Sequence, residues 1–366
     1  MKTKDLDKNY ITDKLSEIPY TWTYSEKTKD KNFLNSVFRY LSKIKKQNPK
    51  ISIPSNLKPE EIPYNSSIFH FILYYTYHPK YPFIIFNKNT LIFGAFTGRN
   101  FNRIEISFPL KKNALNSIKN LNWLLSINSF KSILEKNNIK SILIRDVDDD
   151  FVNLLKNKSD IKFRLESLRE LNYATYNLSK TLNLTGSEYS NLRWHLNKFN
   201  DKDHEIELAS LDDNVKSVIH LIGKWRKKAI DNRGFSYINV KSDKLGAKLF
   251  KDFNKYNYFK EIFGPENIIS RVLKVNGKIS SFNLGFPLGI FNKQNVFSHS
   301  IGISDISIPH LAEYAQYDFW KEINNKGYDF VNDGPTWKNN LETYKNKFRP
   351  ITKKRYYFMT ISLNNL

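Results

Sequence analysis

The chain has 366 residues, 40% of them hydrophobic and 15% aromatic, which exceeds the needs of one ordinary core and suits two folded domains. Lysine and arginine outnumber the acids 58 to 36, and the formal charge of +22 creates a field that draws nucleic acid or an anionic membrane surface. Cysteine is absent, so disulfides, thiolate catalysis and cysteine-based metal sites are excluded; the 7 histidines show no His-Glu-x-x-His spacing, and no metal is expected.

From the N-terminus, Met1 to Asn9 is charged and lacks the apolar core of a signal peptide. The most apolar stretch, Ile68 to Phe86, is interrupted by His70, His78, Pro79, Lys80 and Pro82. It reads as a helix end, a turn and a strand, not a bilayer span, and a cytoplasmic location is expected. Phe33, Leu34, Val37, Leu41 and Ile44 mark a helix, and Pro82–Phe86 and Thr90–Phe96 flank Asn87-Lys88-Asn89 as a hairpin. Asn102–Pro109 follows as a strand, Ala114–Asn137 as a helix, Ser141–Val147 as a strand and Asp149–Asn157 as a helix. A boundary is expected near Glu166 to Asn172, dividing the chain into residues 1–168 and 169–366.

In the second part, Thr185 and Glu188 have the Thr-x-x-Glu spacing of a capping box and place a helix start there. Tyr189, Leu192, Leu196 and Phe199 form one apolar stripe, leaving Arg193, Asn197 and Lys198 on a face able to meet a phosphate. Asp212 caps a helix carrying Val215, Val218, Ile222, Trp225 and Ala229, with Lys224, Arg226, Lys227, Lys228 and Arg233 as its basic cluster. Leu249, Phe250, Phe253 and Tyr256 lie on a further helix. Ser270–Val275 and Lys278–Gly285 are joined by Asn276-Gly277, a pair that tolerates positive φ at both residues and signals a tight hairpin. Strand Val296–Ile303, helix Pro309–Asn325, strand Tyr328–Asn332, helix Trp337–Lys347 and strand Tyr356–Ser362 complete the chain.

The run Gly186 to Phe199 resembles the Gly-Lys-x-x-x-x-x-Arg-x-His-x-Asn-x-Phe segment of the phosphatidylglycerol lysyltransferase C-terminal-domain family, with Ser187 where many members carry lysine. Asn332-Asp333-Gly334, with Tyr344-Lys345-Asn346-Lys347-Phe348-Arg349-Pro350 after it, resembles that family's closing segment, a polar turn followed by Lys-x-x-Phe-x-Pro. The likeness covers roughly the C-terminal half and, faintly, the N-terminal half. It implies an α/β (α+β) fold of two tandem GNAT-like acyltransferase domains, an architecture also found in the related Fem-type transferases. The order of helices, hairpin meander and alternating strands and helices agrees with this.

The resemblance implies aminoacyl transfer from aminoacyl-tRNA, with tRNA as partner and an anionic phospholipid such as phosphatidylglycerol as leading acceptor. Lysyltransferases of that kind are usually fused to a multispan membrane region that is not seen in this sequence, so a peptide or small-molecule acceptor stays open. Asp333 is the first catalytic candidate, orienting the acceptor or binding the donor's α-ammonium, with Asn332 sharing that role. As a residue of a strand-end turn, Asp333 is expected to be replaceable by Asn without loss of the fold. His299 is read as a general base because its pKa lies near working pH. Asp305 and Glu313 flank the same opening. Arg193, His195 and Lys198, with Lys345, Lys347 and Arg349, are expected to bind tRNA backbone or acceptor phosphate. Trp225, Trp320 and above all Trp337 are candidates to stack a terminal adenine.

Acetyl-CoA enzymes cradle a pyrophosphate on a glycine-rich loop before the helix that follows the central strand. Here that run is Asp305-Ile306-Ser307-Ile308-Pro309-His310-Leu311-Ala312, without glycine and with an acid, so acetyl-CoA is disfavoured and no cofactor is expected. Two alternatives stay open: a coenzyme A dependent N-acyltransferase, and a tRNA- or membrane-binding module without catalysis.

Overall fold

The computed structural model describes residues 8–19, 21–23, 39, 43, 81–87, 90–97, 101–110, 114–157, 164–233, 267–288, 296–336 and 339–363. The helices expected at Phe33–Ile44 and Leu249–Tyr256, the stretch from Ile68 to Lys80, and Trp337 lie outside the described residues, residues 39 and 43 apart. The chain divides into two compact units, residues 1–172 with 354–366, and residues 173–353.

In the first unit the strands lie in the order β1 (Thr21–Thr23), β2 (Tyr81–Asn87), β3 (Thr90–Thr97), β4 (Arg103–Leu110), β5 (Ser141–Val147), β12 (Thr352–Ser362). Neighbours are antiparallel except β4 and β5, which are parallel. The helices are α1 (Lys8–Ser16), α2 (Ala114–Ser126), α3 (Asn128–Lys136) and α4 (Asp149–Asn157). The single helix expected over Ala114–Asn137 is broken. Ile127 takes extended dihedrals, φ −75 and ψ 123, while Ser126 donates its hydroxyl to the Trp123 carbonyl, the local competition for backbone partners that serine brings to helix interiors. The core gathers Phe83, Phe96, Phe130 and Phe151 with Met359 and Ile361 of β12.

The second unit carries the sheet order β6 (Arg164–Asn177, with residues 173–177 in this unit), β11 (Phe330–Thr336), β10 (Val296–Ser304), β9 (Lys278–Pro287), β8 (Ile269–Val275), β7 (Ile206–Ala209). The expected boundary region is itself strand β6, whose charged first half, Arg164-Leu-Glu-Ser-Leu-Arg-Glu, hides the alternation that marks strands. Asn276 and Gly277 take φ 51 and 72 and close the β8–β9 hairpin as expected. Helices α5 (Leu178–Asn183), α6 (Ser190–Asn200), α7 (Leu211–Arg233), α8 (Leu311–Asn325) and α9 (Asn339–Asn346) complete the unit.

The apolar stripe of α6 is buried as its spacing predicts, with Leu192, Leu196 and Phe199 in the core and Tyr189 just ahead of them. The helix start differs. Leu184 sits in the left-handed region at φ 53, Gly186 at φ 91, and a 3-10 turn over Ser187–Tyr189 precedes α6, with no side-chain cap. The Thr185–Glu188 capping box does not form. Arg193 instead donates its guanidinium to the carbonyls of Leu184 and Gly186, a nonlocal brace that no N-terminal pattern announces.

Strand β10 is shaped by a bulge. Its pairing with β9 shifts register between His299 and Ile301, so Ser300 is the extra residue and the strand bends there. Gly285 of β9 faces this bend, and a Cβ on it would lie 2.2 Å from the Ser298 carbonyl oxygen. Gly285→Ala should therefore destabilise the protein by about 1–3 kcal/mol through overpacking. Urea denaturation checks this, the expected result being a lower midpoint with an unchanged slope.

Candidate active site

The parallel pair β10–β11 is in register only from Val296/Phe330 to Ser298/Asn332, although β10 continues to Ser304 and β11 to Thr336. Past that point β11 has lost its β10 partner. The missing N–H of Pro335 therefore costs nothing on that side, and Asn332-Asp333-Gly334-Pro335 lies inside β11 and not in a turn after it. Asn332 is buried and its Oδ1 accepts from the Gly334 N–H at 3.0 Å, with Gly334 at φ 67.

His299 lies beside this parting, its ring buried. Nε2 stands 3.1 Å from both Asn283 Oδ1 and the Ile301 carbonyl oxygen, and since a carbonyl only accepts, Nε2 carries the hydrogen. Nδ1 accepts from the Trp320 indole N–H at 3.3 Å and lies 3.4 Å from Asp333 Oδ1. Burial lowers the pKa of the ring, against an opposing pull from Asp333, so the imidazole is neutral at pH 7 with both nitrogens engaged. The Lys345 side chain reaches the same place from α9. Its Nζ donates to the carbonyls of Asp333 and Gly334, the latter at 3.0 Å, and stands 3.7 Å from Asp333 Oδ2. Only 4% of Lys345 is exposed, and burial lowers its pKa while Asp333 works the other way.

A second ion pair sits at the start of α8. Lys347 Nζ donates to Glu313 Oε1 at 2.6 Å, and Glu313 is buried. His195 of α6 places Nδ1 3.6 Å from the same oxygen and 2.8 Å from Nδ1 of His310. The imidazole contact requires one hydrogen between the two nitrogens and leaves no room for an ion; among the described residues no group of His, Asp and Glu is arranged to hold a metal. Tyr344 joins the two pairs. Its hydroxyl lies 3.0 Å from the Ala312 carbonyl oxygen and 3.1 Å from Gln316 Oε1, and burial, then Glu313 and Asp333, hold its pKa well above 10. Gln316 Nε2 is buried without a hydrogen-bond partner.

The structure thus brings together Asp333, Asn332, His299 and Lys345, and beside them Glu313, His195 and Lys347. Other expected site residues are engaged elsewhere. Arg193 braces the α6 entry, Arg349 donates through Nε to the Glu188 carbonyl at 2.6 Å, and Lys198 is exposed with Asp201 Oδ2 at 3.8 Å. Trp320 is wholly buried against Tyr176 at 4.6 Å and Phe348 at 4.9 Å, so it stacks no ligand, and Trp225 is half-buried. Asn283, His310, Gln316 and Tyr344 were not anticipated. Tyr344 and His310 lie within the quoted runs without a role assigned to them, whereas nothing local marks Asn283 or Gln316.

The loop entering α8 is closed on itself. Asp305 Oδ1 accepts from the Ser307 N–H at 3.0 Å and hydroxyl at 2.7 Å, and Oδ2 from Lys224 at 2.6 Å. The Ile308 N–H bonds to the Asp305 carbonyl and the Leu311 N–H to that of Ile308. Pro309 has no N–H to offer, and His310, at φ 68, makes no side-chain cap. Although burial works against it, the Lys224 and Ser307 hydrogen bonds hold the Asp305 carboxyl down at about 2.

No family model and no curated protein sequence matches the chain. Among solved structures it is similar to a conserved protein of unknown function from Bacteroides thetaiotaomicron, at 18% identity and a TM-score of 0.59 over 82% of this chain and 92% of that one. A tandem GNAT protein from the clavulanic acid biosynthesis pathway aligns over 94% and 98% of the two chains, at 6% identity and a TM-score of 0.52. The C-terminal domain of a protein assigned as a lysylphosphatidylglycerol synthetase from Agrobacterium fabrum aligns over 77% and 84%, at 12% identity and a TM-score of 0.47. The chain has the mixed α/β tandem GNAT fold.

Two outcomes follow from these contacts. Asp333 neutralises a buried ammonium, so the expectation that Asp333→Asn leaves stability untouched is corrected: the variant should lose about 3 kcal/mol, read by chemical denaturation at pH 7. A carboxyl whose folded pKa is depressed contributes stability present above its unfolded value and lost as pH falls through the folded one. Asp305 should therefore contribute fully above about pH 4 and nothing below about pH 2, and in Lys224→Met the acid unfolding midpoint, followed by circular dichroism, should move upward.

Proposed function

We propose that the protein is an aminoacyltransferase that takes the aminoacyl group of an aminoacyl-tRNA and passes it to an acceptor nucleophile, with an anionic phospholipid such as phosphatidylglycerol as the leading acceptor. The observation that carries this reading is the cluster at the parting of β10 and β11, where Asp333, His299 and Lys345 meet next to Glu313, Lys347 and Tyr344. The family resemblance of Gly186–Phe199 and of Asn332–Pro350 supports the same donor.

The reaction needs positioning more than activation, because an aminoacyl ester is already a reactive acyl donor. Acceptor oxygen or nitrogen attacks the ester carbonyl, the bond from carbonyl carbon to ribose oxygen breaks, and the acceptor's proton ends on the released ribose hydroxyl. Asp333, 12% exposed at its side chain, holds the donor's α-ammonium or the acceptor's proton, and Lys345 fixes its orientation.

The α8 loop argues against coenzyme A, because the Ser307, Ile308 and Leu311 amides already have acceptors within the protein. No helix among the described residues is long and apolar enough to cross a membrane, so a lipid acceptor would be met at a membrane surface, to which the charge of +22 is complementary.

Charged tRNA should bind with an affinity that falls steeply with salt, the slope reporting several neutralised phosphates. With labelled aminoacyl-tRNA and vesicles containing phosphatidylglycerol, label should move to lipid in the wild type and not in Asp333→Asn assayed below its melting temperature. Turnover of acetyl-CoA without tRNA would replace this reading with coenzyme A dependent acyl transfer, and tRNA binding without transfer to any acceptor would reduce the protein to a binding module.

A further inference from the structure

We propose that the donor site selects an aminoacyl group with an uncharged side chain and rejects lysyl and arginyl groups; this rests on the reading above and adds the class of donor. Both carboxylates of the cluster are already matched inside the protein, Asp333 with Lys345 at 3.7 Å and Glu313 with Lys347 at 2.6 Å. The other acids along α8 and its entry loop are likewise taken, Asp305 by Lys224 at 2.6 Å, and Asp318 and Glu322 by Arg271 at 2.7 and 3.6 Å. His299 is neutral, and His195 and His310 share one hydrogen between their Nδ1 atoms. Among the described residues, each carboxylate of the cluster is therefore paired with a lysine before a donor arrives.

A donor brings one positive charge in its α-ammonium, which Asp333 Oδ1 can receive, because the His299 Nδ1 3.4 Å from it has no hydrogen to donate while Lys345 pairs with Oδ2. A second, on the side chain, would stand near the ammonium groups of Lys345 and Lys347 with no unmatched carboxylate in the cluster among the described residues to receive it. At an effective dielectric of about 20, a bare like charge several ångströms away lowers affinity by roughly one to two factors of ten, and the carboxylate beside each lysine reduces this to about tenfold.

The test uses the full chain and non-hydrolysable 3′-aminoacylamido-3′-deoxyadenosines, one alanyl and one lysyl, titrated calorimetrically. The alanyl compound should bind at least about tenfold tighter. Lys347→Met, which frees the Glu313 carboxylate, should shift the ratio toward the lysyl compound by about tenfold, whereas Glu313→Gln, which leaves Lys347 unmatched, should widen it. Equal or tighter lysyl binding by the wild type overturns the inference, as does a folded Lys347→Met with an unchanged ratio; should that variant not fold, the wild-type ratio decides. If neither compound binds while charged tRNA does, the inference falls and the donor assignment stands. If charged tRNA does not bind either, both fall.

Discussion

The ammonium of Lys345 is the group on which the candidate site depends. A cation with 4% exposure must find partners within the protein or lose its charge, and this one takes the carbonyls of Asp333 and Gly334 together with the Asp333 carboxylate. Those carbonyls are available because β11 has left β10 behind after Asn332. The parting of the strands, the buried lysine and the orientation of Asp333 are thus one arrangement. On its far side lies the His299 ring, which is fixed by Trp320 and the bulged backbone at Ile301 and donates nothing to Asp333.

Beside it the Glu313–Lys347 pair repeats the same logic at the head of α8, where the helix dipole also favours a carboxylate. Tyr344 sits between the pairs, its phenol kept protonated by burial and by the two carboxylates. Opposite charges are matched closely enough that the polar interior needs no counter-ion from solvent. Within the cluster the Gln316 amide nitrogen is enclosed without a hydrogen-bond partner.

Much of the fold is written in local patterns. The Asn276-Gly277 hairpin and the stripe Tyr189, Leu192, Leu196 and Phe199 depend on neighbours a few residues apart, and both appear where their patterns place them. The failures come from long-range partners. Gly334 and Pro335 look like strand breakers until the strand beside them is known to have turned away, and Thr185–Glu188 looks like a cap until Arg193 takes the carbonyls of that turn. Candidate site residues were visible as residue types near sheet ends. Their pairing was not, since Asp333 with Lys345 and Glu313 with Lys347 are joined only by α9 folding back over α8.

Strand β12 has a consequence for how the protein is made. Met359 and Ile361, late in the chain, complete the core of the unit that holds most of the early residues, pairing on β5 after all of residues 173–353 have intervened. On the ribosome, the unit begun first is closed last. Until β12 emerges from the exit tunnel, β5 presents an open apolar edge, a state in which nascent chains attract chaperones and one another. The order of synthesis and the order of completion are reversed, and the later unit has the opportunity to fold while the earlier one waits.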